Sequence, residues 1–576
     1  MKKRLLILSI GIFCCFSLSA QDSIDSFRKL FQGKQELYVR FPESKLASLA
    51  RISDEISLDH NPRRDGFIYA YIYPRNIEVL LKESLQLEVL PAPSSLEAPI
   101  MRNWKELTSR LKTNSTVCSM NWNFFPTYQA YENLMLQFQT DYPAICKIDT
   151  IAQLNSGRRL LVAHIGDNLD VDEDEPEFLY TSSMHGDETT GYNLSLHLIA
   201  YLLCNYGADP EITNLLNEVD IWINPLANPN GAYAGGNNSV AGATRANANG
   251  FDLNRNFPDP DPNDGPRPGG TQQEETTAFI NFAAERDFTI SANLHGGVEV
   301  ANYPWDTYGR RHPDDNWWIH VCRDYADTTQ ANSPVGFFND FNNGITNGSD
   351  WFFVSGGRQD YMNSFEYCRE FTLELSNSKN PPSISLEAFW DYHQAALVNY
   401  MEEALFGLRG IVTDSISEEA LLARVFIDGH DQDSSHVYSS MPIGNYHRYL
   451  FAGSYDVSFT AEGYLPKTLT VAIQNGQSTR LDVQLVPDVA AGIADRNKIP
   501  FSLFPNPASD KLEIELKESF GEMEVQLIDL SGKILQVHQF EFQTDAELEV
   551  KELAAGMYFV RIKTERGFGI EKFLKK

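Results

Sequence analysis

The sequence predicts a multidomain protein: a large α/β domain with a central, largely buried sheet, a ferredoxin-like α+β unit before it, and two small β-sandwich domains after it. Three observations carry this. The chain has 576 residues, too many for one core when domains average roughly 150 residues. Between about 121 and 408, apolar strand patterns alternate with amphipathic helical ones, as in α/β proteins. Beyond 410 the apolar runs shorten, take a period of two and are parted by Gly and Asn turns.

Taken in order, the chain opens with Lys2, Lys3 and Arg4, an apolar stretch from Leu5 to Phe16, and small residues at Ser17, Ser19 and Ala20. This is the layout of a secretory signal peptide over 1–20, cleaved near Ala20, and the apolar stretch is shorter than the roughly 20 residues a spanning helix needs. No later segment is an uncharged apolar run of spanning length, so the mature chain is expected to be exported without a transmembrane span. Residues 21–95 read strand (37–41), helix (43–51), strand (56–59), strand (67–73), helix (75–84), strand (87–90), the β-α-β-β-α-β order of a ferredoxin-like unit. A Pro/Ser-rich joint from Pro91 and a linker over 96–120 lead to the α/β domain, 121–408. Residues 409–487 and 501–576 read as the two small β domains, joined by a Gly/Ala/Asp linker over 488–500.

Composition narrows the function. With 42% hydrophobic and 22% charged residues the chain can pack cores throughout, and its net charge of −31 repels a phosphate backbone, so nucleic acid is excluded as a partner. Removal of Cys14 and Cys15 with the leader leaves Cys118, Cys146, Cys204, Cys322 and Cys368. Export permits disulfides, an odd count cannot pair fully, and spacing does not give the connectivity.

Candidate chemistry is concentrated in the α/β region. The strand Phe178 to Met184 runs into His185-Gly-Asp-Glu188, so an imidazole and a carboxylate sit at a strand's carboxyl end, where α/β sheets place their ligand crevices. Three residues apart on a tight turn, both can reach one Zn²⁺. A second strand, Phe288 to Leu294, ends in His295-Gly-Gly. A third, Glu370 to Leu375, carries Glu374 in an apolar stretch, where a carboxylate needs a partner; beside a metal it would serve as a general base. Two His and one Glu leave a fourth zinc position open, the catalytic rather than the structural pattern. Between these strands, Arg255 beside Asn254 supplies a forked guanidinium and an amide suited to a free carboxylate. Arg245 could face a carbonyl oxygen on which charge develops.

The set His185-x-x-Glu188, Arg245, Asn254-Arg255, His295 and Glu374, together with Gly250-Phe-Asp-Leu-Asn-Arg-Asn-Phe-Pro258 and Gly344-Ile-Thr-Asn-Gly348, resembles the zinc metallocarboxypeptidases over roughly 121–408. The short interval from Arg245 to Arg255 is similar to their carboxypeptidase N/E branch. The resemblance implies a mixed eight-stranded sheet flanked by helices and removal of single residues from peptide or protein C-termini. It implies one Zn²⁺ per chain held by His185, Glu188 and His295, Arg245 at the scissile carbonyl, Asn254 and Arg255 on the terminal carboxylate, and Glu374 as general base. Asp306 resembles the pocket aspartate that selects C-terminal Lys or Arg in that branch, with Gln359 as a polar neighbour. Phe352 stands where the family carries a mobile tyrosine; a phenyl ring excludes water but donates no hydrogen bond, and Tyr361 is the nearby candidate to replace it.

The flanking regions carry resemblances of their own. The N-terminal unit is similar in topology to propeptides that cover the active cleft of some metallocarboxypeptidases, with Arg63-Arg64, Arg102 and Lys105 as candidate processing sites; a docking or folding module is the alternative. Residues 409–487, with Gly444-Asn-Tyr446 and Glu462-Gly-Tyr464, resemble the transthyretin-like regulatory domain of N/E-branch enzymes. Residues 501–576, with Phe504-Pro-Asn-Pro-Ala508 and Leu553-Ala-Ala-Gly-Met-Tyr558, resemble the C-terminal sorting domain of type IX secretion, implying that machinery as a partner and a secreted or cell-surface location. Two other readings stay open: a zinc amidase or cell-wall peptidase of the same fold, and a surface-binding protein with a vestigial site.

Overall fold

The computed structural model describes residues 24–576 except 51, 53–55, 60–64, 84, 97, 112–116, 264–269, 489–498, 517–521, 531–532, 542–543 and 565–566. The expected leader, Arg63-Arg64 and most of the linker after 487 lie outside the described residues. Among the described residues no helix is long and apolar enough to cross a membrane. The chain divides into two compact units, residues up to 411 with 424–458 and 469–482, and residues 412–423, 459–468 and 483 onward.

In the first unit, strands β1 (Leu37–Pro42), β2 (Ser57–Asp59), β3 (Phe67–Ile72) and β4 (Glu88–Leu90) form an antiparallel sheet in the order β2-β3-β1-β4. Alternation splits its faces: Val39, Phe41, Ala70 and Ile72 pack under the helices, while Tyr38, Tyr69 and Tyr71 line the other face. The helices are shorter than the sequence pattern suggested, Leu46–Ala50 and Ile77–Lys82 each entered through a 3₁₀ turn, and a helix at Ile24–Phe31 precedes the sheet.

The main sheet has eight strands, β5 (Cys146–Gln153), β6 (Arg159–Ile165), β7 (Glu177–Ser182), β8 (Asp220–Asn224), β9 (Phe288–His295), β10 (Glu299–Tyr303), β11 (Ile345–Asn347) and β12 (Arg369–Leu375), in the order β11-β10-β12-β9-β7-β8-β6-β5. It is mixed: β12, β9, β7 and β8 run parallel, while β10, β6 and the edge strand β5 pair antiparallel with their inner neighbours. Both faces are covered, as a parallel centre requires. Phe178, Tyr180, Ile221, Ile223, Phe371 and Leu373 face the helices 128–141, 190–205, 315–331 and 386–402. Leu160, Val162, Leu179 and Trp222 face the helix Glu274–Ala284.

Residues 407–485 form two four-stranded sheets. In the second unit, a three-stranded sheet (Phe501–Phe504, Lys511–Leu516, Asp545–Glu549) and a four-stranded one (Glu522–Asp529, Ile534–Glu541, Gly556–Thr564, Gly567–Lys575) share a core of Leu512, Ile514, Val525, Leu527, Val560 and Phe573. Cys118 and Cys204 form a disulfide, and Cys146, Cys322 and Cys368 are free and buried.

Candidate active site

The two segments with the candidate ligands and the one with the candidate base sit at the carboxyl ends of adjacent parallel strands of the main sheet. β7 ends at Ser182 opposite Leu294 of β9, and His295 of β9 lies directly across from Glu374 of β12. Sheet register, with the turn after β7, therefore gathers residues 189 positions apart. The turn after β7 then packs so closely on Gly231 and Ala232 that a Cβ on Gly186 would collide with their backbone, which is why the residue after His185 has to be glycine.

His185, Glu188 and His295 converge. His185 Nδ1 lies 2.9 Å from Glu188 Oε2, His295 Nδ1 lies 2.8 Å from the same oxygen, and the two Nδ1 atoms are 3.0 Å apart. Three donor atoms at such spacing form a set able to hold a cation. Asp252 sets the tautomer: its Oδ1 is 2.9 Å from His185 Nε2, so that nitrogen carries the proton and Nδ1 turns a lone pair inward. Burial pushes the His295 imidazole down to about 4, so it is neutral at pH 7. Burial would push Glu188 up, but its close contacts with His185, the Lys379 ammonium and His295 outweigh it and hold its carboxyl well below the usual range. Two imidazoles and one carboxylate are the donors Zn²⁺ takes, and the chemistry fits.

Glu374 reaches the same cavity, and its Oε2 has no hydrogen-bond partner among the described residues. Burial and the Glu188 charge hold its carboxyl above the ordinary value. Arg245 donates from Nη1 to Glu188 Oε1 over 3.1 Å and from Nε to Asp252 Oδ2 over 3.0 Å. Asn254 and Arg255 line the cavity; Asn254 Oδ1 accepts from the Arg358 amide, and Arg255 Nη1 donates to the Asn254 carbonyl.

Asp306 lines the far end of the same cavity, where Asn302 Nδ2 donates to its Oδ1 at 3.0 Å, and burial pushes its carboxyl up to about 6 against the pull of Asn302 and Arg255. Below it Asp360 accepts from the amides of Asp306 and Thr307, and Asp259 accepts from Thr307 Oγ1. Gly348 leaves the space that Asp306 Oδ1 occupies. Gln359 is buried beside this group and draws the Asp306 carboxyl down. Phe352 lines the cavity mouth beside Trp351. Tyr361 does not replace the missing hydroxyl: it is 4% exposed, packs on Phe257 and Phe365, and its OH donates to Glu366.

Three polar groups at the site escaped the sequence reading. Lys379 Nζ donates to Glu188 Oε1 over 2.8 Å, Asp252 orients His185, and Asp187 accepts from the Tyr71 hydroxyl. Each sits near a motif residue, but nothing in spacing says that its side chain turns inward.

The N-terminal sheet enters the cleft through β2 and β3. Ser57 Oγ donates to Asp252 Oδ2 over 2.8 Å, Tyr71 OH donates to Asp187 Oδ2 over 2.8 Å, and Asp59 Oδ1 lies 3.8 Å from Lys379 Nζ. Leu58 and Asp59 line the same cavity as Glu374. Glu36 accepts from the amides of Arg245 and Ala246.

Residues 131–396 match the zinc carboxypeptidase family, residues 407–486 a carboxypeptidase regulatory-like domain, and residues 502–576 a secretion system C-terminal sorting domain. Carboxypeptidase D of Homo sapiens is 34% identical over 378 residues, covering 62% of this chain and 26% of that protein. The chain thus spans about a quarter of the length of the carboxypeptidase D relatives it matches. The carboxypeptidase N catalytic chain of Homo sapiens is 32% identical over 406 residues, covering 63% of this chain and 87% of that one. A solved carboxypeptidase A from Helicoverpa armigera has a TM-score of 0.48 at 15% identity, covering 64% of this chain and 97% of that one.

Proposed function

Because the chain belongs to the zinc carboxypeptidase family, we propose that it is an exported carboxypeptidase that hydrolyses the C-terminal peptide bond of peptides or proteins ending in Lys or Arg. The observation that carries this is the meeting of His185, Glu188, His295, Glu374, Arg255 and Asp306 around one cavity. His185, Glu188 and His295 are the residues that would hold zinc. When bound, it polarises the scissile carbonyl and brings the pKa of water to about 7.

The remaining steps belong to side chains. Arg255 and Asn254 receive the terminal carboxylate, the guanidinium forming paired hydrogen bonds and the amide fixing the angle. Arg245, at the edge of the ligand set, faces the carbonyl oxygen as it gains charge. Glu374 takes a proton from the attacking water while the O–C bond forms, and delivers it to the amine nitrogen as the C–N bond breaks. Asp306 pairs with the cationic side chain, and Asp259 and Asp360 beneath it add negative potential, which in a poorly hydrated pocket disfavours an acidic residue. Removal of His or Glu ligands by evolution would mark a vestigial site; here every position of the set is filled.

We assign export to the C-terminal region through type IX secretion, on its match to a sorting domain. Residues 24–95 act as a cover on the site, supported by Ser57, Asp59 and Tyr71 inside the cleft. The test is release of Lys, Arg, Phe or Glu from blocked peptides by the chain starting near Asn121, with and without a chelator and with Glu374→Gln as control. Release of Lys and Arg that is lost on chelation is expected, and release that persists in the chelator would overturn the reading. Equal rates for chains starting near Gln21 and near Asn121 would remove the covering role.

A further inference from the structure

The connection between β6 and β7, residues 166–176, carries Asp167, Asp170, Asp172, Glu173, Asp174 and Glu175. It lines a pocket on the edge of the sheet away from the zinc-type cluster, together with Glu177, Asp220 and Arg286. Some of these charges are spent locally: Asp170 pairs with Lys147 at 3.7 Å and Asp174 with Arg480 at 2.5 Å. Asp167, Glu173 and Glu175 join no ion pair among the described residues, yet each offers an oxygen to a group whose atoms all lie within 4.8 Å of one another. Like charges so close repel unless a cation or a proton sits between them.

A second observation comes from a different element and does not depend on charge. His447, on the strand Asn445–Arg448, lines the same pocket, is 4% exposed, and its Nε2 has no hydrogen-bond partner among the described residues. A buried polar atom of that kind needs an ordered water or ion to satisfy it.

We propose that this loop is a binding site for Ca²⁺, held by the carboxylates of Asp167, Glu173 and Glu175, with His447 accepting from a water on the ion. The donors are oxygens on a loop, the set a hard cation of variable coordination prefers, whereas Mg²⁺ demands a tighter octahedron and transition metals favour imidazole or thiolate. The charge environment agrees. Burial pushes Glu175 up to about 8, and every charged neighbour acting on it, from Glu173 and Asp167 to Asp220, is another carboxylate pushing the same way. Glu177 is likewise up at about 8, through burial and Asp220, with Arg286 opposing. Since β7 begins at Glu177 and leads to His185, the ion would stiffen the entry to the strand that carries the candidate zinc ligands.

The test is calcium titration of the full zinc-loaded chain, followed by calorimetry and by the unfolding temperature. A single saturable transition on the order of 10⁻⁴ to 10⁻³ M Ca²⁺ is expected, with a rise in unfolding temperature that the same concentration of Mg²⁺ does not reproduce. Glu175→Gln and Asp167→Asn should each weaken calcium binding at least tenfold while leaving zinc content unchanged. No saturable heat, an equal response to Mg²⁺, or full calcium binding by both variants would each overturn the site.

Discussion

At the scale of single residues the proposed reaction divides the site into groups that would do chemistry and groups that would aim them. Glu374→Gln should lower kcat/KM by about 10² to 10⁴, the range of general-base catalysis, without loss of zinc, as steady-state rates beside metal analysis would show. Asp252→Asn should instead act on the metal, weakening zinc affinity by about 10- to 100-fold in a chelator competition, because the amide no longer fixes the His185 tautomer. Asp306 gives a pH signature. Its carboxyl is pushed up to about 6, so it is neutral below that value and charged above it; the ratio of Arg to Phe release should rise as pH climbs through about 6 and stay flat in Asp306→Asn. Seven motif positions were legible in the sequence because their chemistry is written in residue type and in position at strand ends. Lys379 was not, since an isolated lysine five residues past Glu374 reads as a solvated charge until the turn folds it back onto Glu188.

Among elements, the β-α-β-β-α-β order was legible because period-two and period-3.6 patterns separate cleanly over segments of that length. The helix Trp104–Leu111 lies inside what the sequence reads as a linker. What packs against what was also invisible in the sequence. The strand Arg424–Ile427 and its neighbours hold to the α/β domain through a buried network: Arg369 and Arg448 both pair with Asp314, Arg448 also reaches Asp431, and His430 lies 2.7 Å from Asp314. Burial would raise the Asp314 carboxyl, but the two arginines outweigh it and hold it well below the usual carboxylate range. A carboxyl lowered on folding stabilises the folded state above its unfolded pKa and loses that contribution as pH falls towards the folded one. Asp314→Asn, which leaves two buried guanidiniums short of a partner, should cost about 3 to 5 kcal/mol in urea unfolding at pH 7, with the deficit shrinking in acid.

For the molecule as a whole, the count of odd cysteines foretold incomplete pairing but not which pair forms, because Cys118 and Cys204 are 86 residues apart in sequence and meet only in the fold. Closing a loop of that length restricts the unfolded chain, so Cys118→Ser with Cys204→Ser should lower stability by about 4 kcal/mol in denaturant titration, with the three buried thiols still unreactive. The position of that bond has a further consequence. Cys118 stands just after the segment that links the N-terminal sheet to the rest, and Cys204 stands on the helix that follows the His185–Glu188 turn. A protease that cut ahead of Cys118 would free everything upstream, while the fresh amino terminus left behind stayed riveted to the scaffold of the reaction centre, unable to fray into the groove just vacated.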